Sequence, residues 1–172
     1  KHDPTSSHGF CGAALSSNVI HFWKSNDGKW EWEKVIDVEN EPHPDWPIPI
    51  PGVMSAILVS MDDKYLYLNN WLHGDMRQYD ITDPHNPKLT DQVWMGGLLG
   101  KASIINGVKI QGGPQMYQLS LDGKRLYVTT SLFSTWDNQF YPEIRTQGGA
   151  MIMIDCDVEN GGMKINKDFI VD

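Results

Sequence analysis

Cysteine is scarce in this chain: only Cys11 and Cys156 occur in 172 residues, too far apart to form a CxxC pair. That argues against a disulfide framework and against a cysteine-based zinc site, and a reducing compartment is the simpler reading. Positive charge is also short. Lys and Arg total 14 against 22 Asp and Glu, a formal charge of −8, and no local basic patch offsets it. A phosphate-coated partner is repelled by such a surface, so no nucleic acid is expected. No apolar run approaches the roughly 20 residues that span a bilayer, and Lys1-His2-Asp3 lacks the basic-then-apolar character of a signal peptide. The expectation is a cytoplasmic protein without a transmembrane segment, with a nuclear or peripheral-membrane location as the alternative.

What is present is a repeat. Ile57-Leu58-Val59-Ser60-Met61-Asp62-Asp63-Lys64-Tyr65-Leu66-Tyr67-Leu68 matches Tyr117-Gln118-Leu119-Ser120-Leu121-Asp122-Gly123-Lys124-Arg125-Leu126-Tyr127-Val128 at an offset of 60 residues. Each copy has a short apolar run, a turn at Asp62-Asp63 or Asp122-Gly123, and an alternating run, which is the pattern of a β-hairpin. Asp75 to Ile81 and Leu89 to Met95 supply third and fourth strands after the first copy. Ala150 to Asp155 and Asp168 to Val171 do so after the second, past an aromatic-rich loop at Ser134 to Gly148. Upstream, Phe10 to Leu15, Val19 to Trp23 and Trp30 to Ile36 read as the last three strands of an earlier unit.

Repeated four-stranded antiparallel sheets of this kind build a β-propeller, whose radial packing protects sheet edges. The expected fold is therefore all-β: a partial propeller of about three blades over residues 1–172. Residues 1–40 form an incomplete blade, 53–96 a blade, and 114–172 a blade with the long loop 134–148. A β-sandwich competes, but it does not account for the repeat. Both chain ends are expected to fall inside blades, so the remaining blades of a parent chain are expected partners. The Gly-rich connection Gly96 to Gly113 is longer than a typical loop and is a functional candidate on that ground.

Several blocks carry a family likeness: Gly9-Phe10-Cys11-Gly12-Ala13-Ala14-Leu15, Asn69-Asn70-Trp71-Leu72-His73-Gly74-Asp75, Gly112-Gly113-Pro114-Gln115-Met116, and Trp136-Asp137 with Gln139-Phe140-Tyr141-Pro142. Together they resemble the selenium-binding protein family, whose members include the methanethiol oxidases. The resemblance implies a propeller, seven-bladed in the full chain. It implies an oxidoreductase that converts a small thiol, methanethiol, with O₂ and water to formaldehyde, hydrogen sulfide and hydrogen peroxide. Copper is the implied cofactor. Selenium binding is also implied, but the N-terminal cysteine that holds it in the family lies outside this chain. The alternative implied role is non-catalytic: a selenium- or thiol-binding propeller in protein interaction or intra-Golgi protein transport. One departure stands out, because Ala13 occupies the family's cysteine position and Cys11 stands two places earlier.

A copper centre acting on a thiol needs nitrogen ligands that are neutral near pH 7, which histidine supplies. His73 is the first candidate, since its block falls in a turn between two strands, Gly74 permits close backbone approach, and Asp75 is placed to orient the ring. A turn histidine also serves simply by bonding to backbone. His2 and His8, six residues apart, form a second candidate pair, against the reading of exposed polar residues near a frayed end. His21 alternates between Ile20 and Phe22 and reads as a face residue, while His43 and His85 sit among prolines and read as solvated. Trp71 and Trp136 are candidates to line a substrate pocket. Trp30 and Trp32 suit packing between sheets. Cys156, between Asp155 and Asp157, reads as an inert thiol with a raised pKa.

Overall fold

The computed structural model describes residues 1–172. Alternating apolar residues near the start produce β1 (His8–Ala13), β2 (Asn18–Lys24) and β3 (Trp30–Asp37), antiparallel in the order β1-β2-β3. Val19 and His21 share the buried face of β2, as a period of two requires. Gly9 stands opposite Phe22, where a Cβ would come within 2.3 Å of the phenyl ring.

The second sheet contains β4 (Ile57–Val59), β5 (Tyr65–Asn70), β6 (Asp75–Asp80) and β7 (Lys88–Trp94), hydrogen-bonded in sequence order. Every residue of β5 is buried. Leu66 and Leu68 pack with Val19, Ile36 and Val38 on the side of the first sheet. Tyr65 and Tyr67 pack with Leu126, Val128 and Ile152 on the opposite side. The second sheet is thus covered on both faces, and this is why β5 reads as a nearly continuous apolar run. Truncating Leu66 or Leu68 to Ala in such a core costs about 2–5 kcal/mol.

The connection after β7 carries a small hairpin, β8 (Ile104–Ile105) and β9 (Val108–Lys109), turned by Asn106 and Gly107 at φ of 50° and 80°. The third sheet contains β10 (Tyr117–Leu119), β11 (Arg125–Thr129), β12 (Met151–Cys156) and β13 (Met163–Val171). Its last strand begins at Met163, earlier than the sequence pattern indicates. The aromatic-rich segment between β11 and β12 is not an open loop: it folds into α1 (Ser134–Phe140) and α2 (Ile144–Gln147). Asp137 holds the start of α1, its Oδ2 accepting from Ser131 Oγ and from the backbone N–H of Leu132 and Phe133 at 2.8–2.9 Å.

The repeat is structural as well as sequential. Ile57 pairs with Leu68 and Tyr117 with Val128, equivalent positions in the two copies. Ser60 and Ser120 each donate to the Asp two residues on at 2.5 Å. Each Asp then accepts from a lysine N–H, Lys64 or Lys124, at 3.1 Å. Trp30 and Trp32 do not pack between sheets: they are 65% and 71% exposed on edge strand β3.

Candidate functional site

The turn joining β5 to β6 is built by backbone-to-backbone contact. Trp71 N–H donates to Val53 O at 3.1 Å and Leu72 N–H to Gly52 O at 3.0 Å, while Leu72 O accepts from Leu98 N–H at 2.8 Å. Two glycine segments fit closely against it. Gly97, at φ 82°, approaches so near that a Cβ would lie 2.2 Å from His73 O, and a Cβ on Gly113 would lie 1.9 Å from Trp71 O. Side chains larger than hydrogen would force these segments apart. The long Gly96 to Gly113 connection therefore serves to seat the His73 turn.

His73 is fully buried. Its Nε2 lies 2.8 Å from Ile50 O, so Nε2 carries the hydrogen and Nδ1 carries the lone pair. That buried Nδ1 has no hydrogen-bond partner. Asp75 does not orient the ring as the sequence suggests: its Oδ2 accepts from Arg77 Nε at 2.7 Å, Gln92 Nε2 at 2.6 Å and Asn70 Nδ2 at 3.2 Å. Burial opposes the Arg77 charge, but the Asp75 carboxylate outweighs it and the Arg77 pKa is raised.

Trp71 and Trp136 do meet, stacked with ring centroids 6.2 Å apart and planes 21° from parallel. Phe140 closes edge-on at 5.0 Å from Trp71, and Tyr141 OH donates to Trp71 O at 2.6 Å. The faces of the two indoles are thus directed at each other, with Trp71 buried and Trp136 half exposed.

His2 and His8 lie elsewhere. His2 N–H and Asp3 N–H donate to the Asp63 carboxylate at 2.6 and 2.8 Å, and His2 Nε2 bonds Val59 O at 3.1 Å. Asp63 precedes β5 and His73 follows it, so His2 and His73 are separated by about the length of a six-residue strand, roughly 20 Å. His73 and the His2 segment therefore lie at opposite ends of β5.

His8 instead gathers with two histidines that the sequence reading left unassigned. Its Nδ1 lies 2.8 Å from His21 Nε2, and ligand atoms of His8, His21 and His85 fall within 4.8 Å of one another. His85 is not merely solvated, because its Nδ1 bonds Glu33 Oε1 at 2.5 Å. No local motif signals this grouping. The one available signal was the strand period, which puts His8 and His21 on the same face of adjacent strands.

Cys156 is buried, and its thiol pKa is pushed up to about 11, by burial first and by Asp155 second. Cys11 is exposed.

A chain of sheets stacked in sequence, each strand beside its predecessor, with a closely packed turn around a buried histidine, defines an all-β repeat protein. Residues 1–172 match the 56 kDa selenium binding protein (SBP56) family, and the chain belongs to that family. It is 50% identical to methanethiol oxidase of Xenopus tropicalis, over 99% of this chain and 40% of that protein. It is 51% identical to selenium-binding protein 1 of Arabidopsis thaliana, over 99% of this chain and 39% of that protein. A hypothetical selenium-binding protein of Sulfolobus tokodaii superimposes with a TM-score of 0.86 at 41% identity, covering 99% of this chain and 39% of that one. The chain therefore spans about two fifths of the length of these relatives. No helix is long and apolar enough to cross a membrane.

Proposed function

We propose that the protein carrying this chain is a methanethiol oxidase, converting methanethiol, O₂ and water to formaldehyde, hydrogen sulfide and hydrogen peroxide. The observation that carries this reading is the 50% identity to a relative named methanethiol oxidase across 99% of the chain. The three sheets are then blades of a seven-bladed propeller in the cytoplasm, completed by the remaining blades of the parent chain.

Copper is the cofactor of this reading, and His73 fits it through one feature: a fully buried imidazole whose Nδ1 has no other partner. Copper held there would supply the redox chemistry that the oxidation of a thiol by O₂ requires. This chain contributes one nitrogen donor, held by the Nε2 bond to Ile50 O. The Trp71, Trp136 and Phe140 rings pack on one another at that turn, where His73 and Trp71 are buried from water. The other ligands belong to the rest of the protein.

The test is peroxide and formaldehyde release on adding methanethiol, with copper content measured alongside. His73→Gln, which preserves polarity and approximate size, is expected to lose both copper and turnover while circular dichroism stays native. Turnover that persists without bound metal overturns the role of His73. Thiol or selenite binding without turnover by the wild-type protein overturns the enzyme reading in favour of a binding module, for which relatives named selenium-binding protein are the support.

A further inference from the structure

The register of the first sheet places aromatic nitrogen donors in a grid. His8 pairs with Trp23 and Phe10 with His21 across β1 and β2, so all four project from one face. On the other side of β2, His21 pairs directly with Glu33 of β3. The turn after β6 then delivers His85 from the second sheet, with its ring 4.6 Å from that of His21 and 5.7 Å from that of His8, perpendicular to both.

Glu33 sets the tautomers. Its Oε1 lies 3.2 Å from His21 Nδ1 and 2.5 Å from His85 Nδ1, so both Nδ1 atoms carry hydrogens and both Nε2 atoms carry lone pairs. One carboxylate orienting two imidazoles by their far nitrogens is the outer-shell arrangement of histidine metal centres. His8 Nδ1, 2.8 Å from His21 Nε2, brings a third nitrogen to the same point. Burial and the neighbouring His85 hold the His8 pKa below its usual value, and burial lowers that of His21, so these two rings are neutral near pH 7. His21 is fully buried, and Trp23 and Phe10 wall it at 4.8 and 5.2 Å. The His85 side chain is 46% exposed, which leaves the grouping open to solvent on one side.

We propose that His8, His21 and His85 form a three-imidazole binding site for a divalent first-row transition ion such as Zn²⁺, oriented by Glu33 and linking the first sheet to the second. The ligands are His21 Nε2, His85 Nε2 and His8 Nδ1, with a solvent molecule in the fourth position. Nitrogens about 2.0–2.1 Å from a tetrahedral ion sit roughly 3.3 Å apart, so closure from the 4.8 Å grouping takes a movement of about 1.5 Å, within reach of the His85 turn. The hydrogen now shared between His8 and His21 moves to His8 Nε2. This site is independent of the His73 reading: His85 follows β6 and His73 precedes it, so they lie at opposite ends of the sheet.

The experiment is titration of the metal-free intact protein with Zn²⁺ by calorimetry, with Co²⁺ absorption as a geometric readout, in a His73→Gln background. Expected are one Zn²⁺ per chain, intense tetrahedral Co²⁺ bands, and a rise in melting temperature with added Zn²⁺. His85→Gln, on an exposed turn, is expected to abolish the Co²⁺ bands with native circular dichroism, and Glu33→Gln to weaken Zn²⁺ binding 10–100-fold. His43→Gln should change nothing. Absence of Zn²⁺ binding, or binding and Co²⁺ bands that survive His85→Gln, overturns the proposal.

Discussion

Asp63 and Gly123 occupy the same left-handed backbone position, φ 60° and 73°, in turns sixty residues apart that share one hydrogen-bond pattern. Asp visits that region more readily than most L residues, and glycine does so freely because it has no Cβ. The Asp63 side chain has a further use, since both its oxygens accept backbone N–H groups from the N-terminal segment.

Gly123→Ala is therefore expected to cost about 1–2 kcal/mol in urea unfolding, the penalty for an L side chain in this region. Asp63→Gly should leave the turn intact but release the segment around His2 and Asp3. Hydrogen exchange reads this directly: faster exchange at His2 and Asp3 with an unchanged β4–β5 ladder is the expected result, and unchanged exchange at both contradicts it.

Gly113→Ala tests how the His73 turn is seated. Its Cβ would fall 1.9 Å from Trp71 O, a backbone atom that cannot rotate away. The glycine segment must separate from the turn, and the Tyr141 to Trp71 bond is displaced with it. A stability loss of about 1–3 kcal/mol with red-shifted tryptophan emission is expected. Emission and unfolding midpoint both unchanged would contradict so close an approach of Gly113 to Trp71 O.

The hairpins of the repeat were legible because period-two alternation and a Ser-x-Asp turn are local signals, and β5 kept its identity despite burial on both faces. The β8–β9 hairpin had its Asn106-Gly107 signal, but its strands of two residues are too short to show alternation. α1 had no such signal. Its N-cap, Phe133, makes no side-chain cap, and the helix start is held by Asp137 from within, while Trp136 and Phe140 anchor it on Trp71. That stability is tertiary. The prominence of His73 was legible from its block, whereas the use of Asp75 was not, because Arg77 and Gln92 reach it through strand pairing. The histidine grouping joins His8 to His85 across two sheets, and no spacing rule within one element could reveal it.

The two thiols are expected to differ sharply in reactivity. Cys11 is exposed, and Cys156 is buried with a pKa near 11, so it holds almost no thiolate at pH 8. Brief iodoacetamide treatment followed by peptide mass mapping should find Cys11 alkylated and Cys156 unmodified until denaturant is added. Equal labelling of the native protein would contradict the packing around β12.

Cys156 also sets the onset of alkaline instability. Burial raises its pKa from 9.0 in the free side chain to about 11, and burial raises those of Tyr67, Tyr117 and Tyr141 above 10.0 as well. Each group holds its proton more tightly when folded, so above pH 9 the unfolded chain binds fewer protons than the folded one, and unfolding free energy falls as pH rises. The stability is whole below pH 9, declines through the thiol between pH 9 and about 11, and declines further through the tyrosines from pH 10 upward. The thiol's share is on the order of 2 kcal/mol. Urea titrations at half-unit pH steps should show the midpoint begin to drop near pH 9 in the wild type. Cys156→Ala lowers the plateau by the cost of a small cavity, yet it moves the onset to about pH 10, where the buried tyrosines begin to lose protons in the unfolded chain. A midpoint that stays flat to pH 11, or an onset that Cys156→Ala does not move, contradicts the assignment of this titration to the buried thiol.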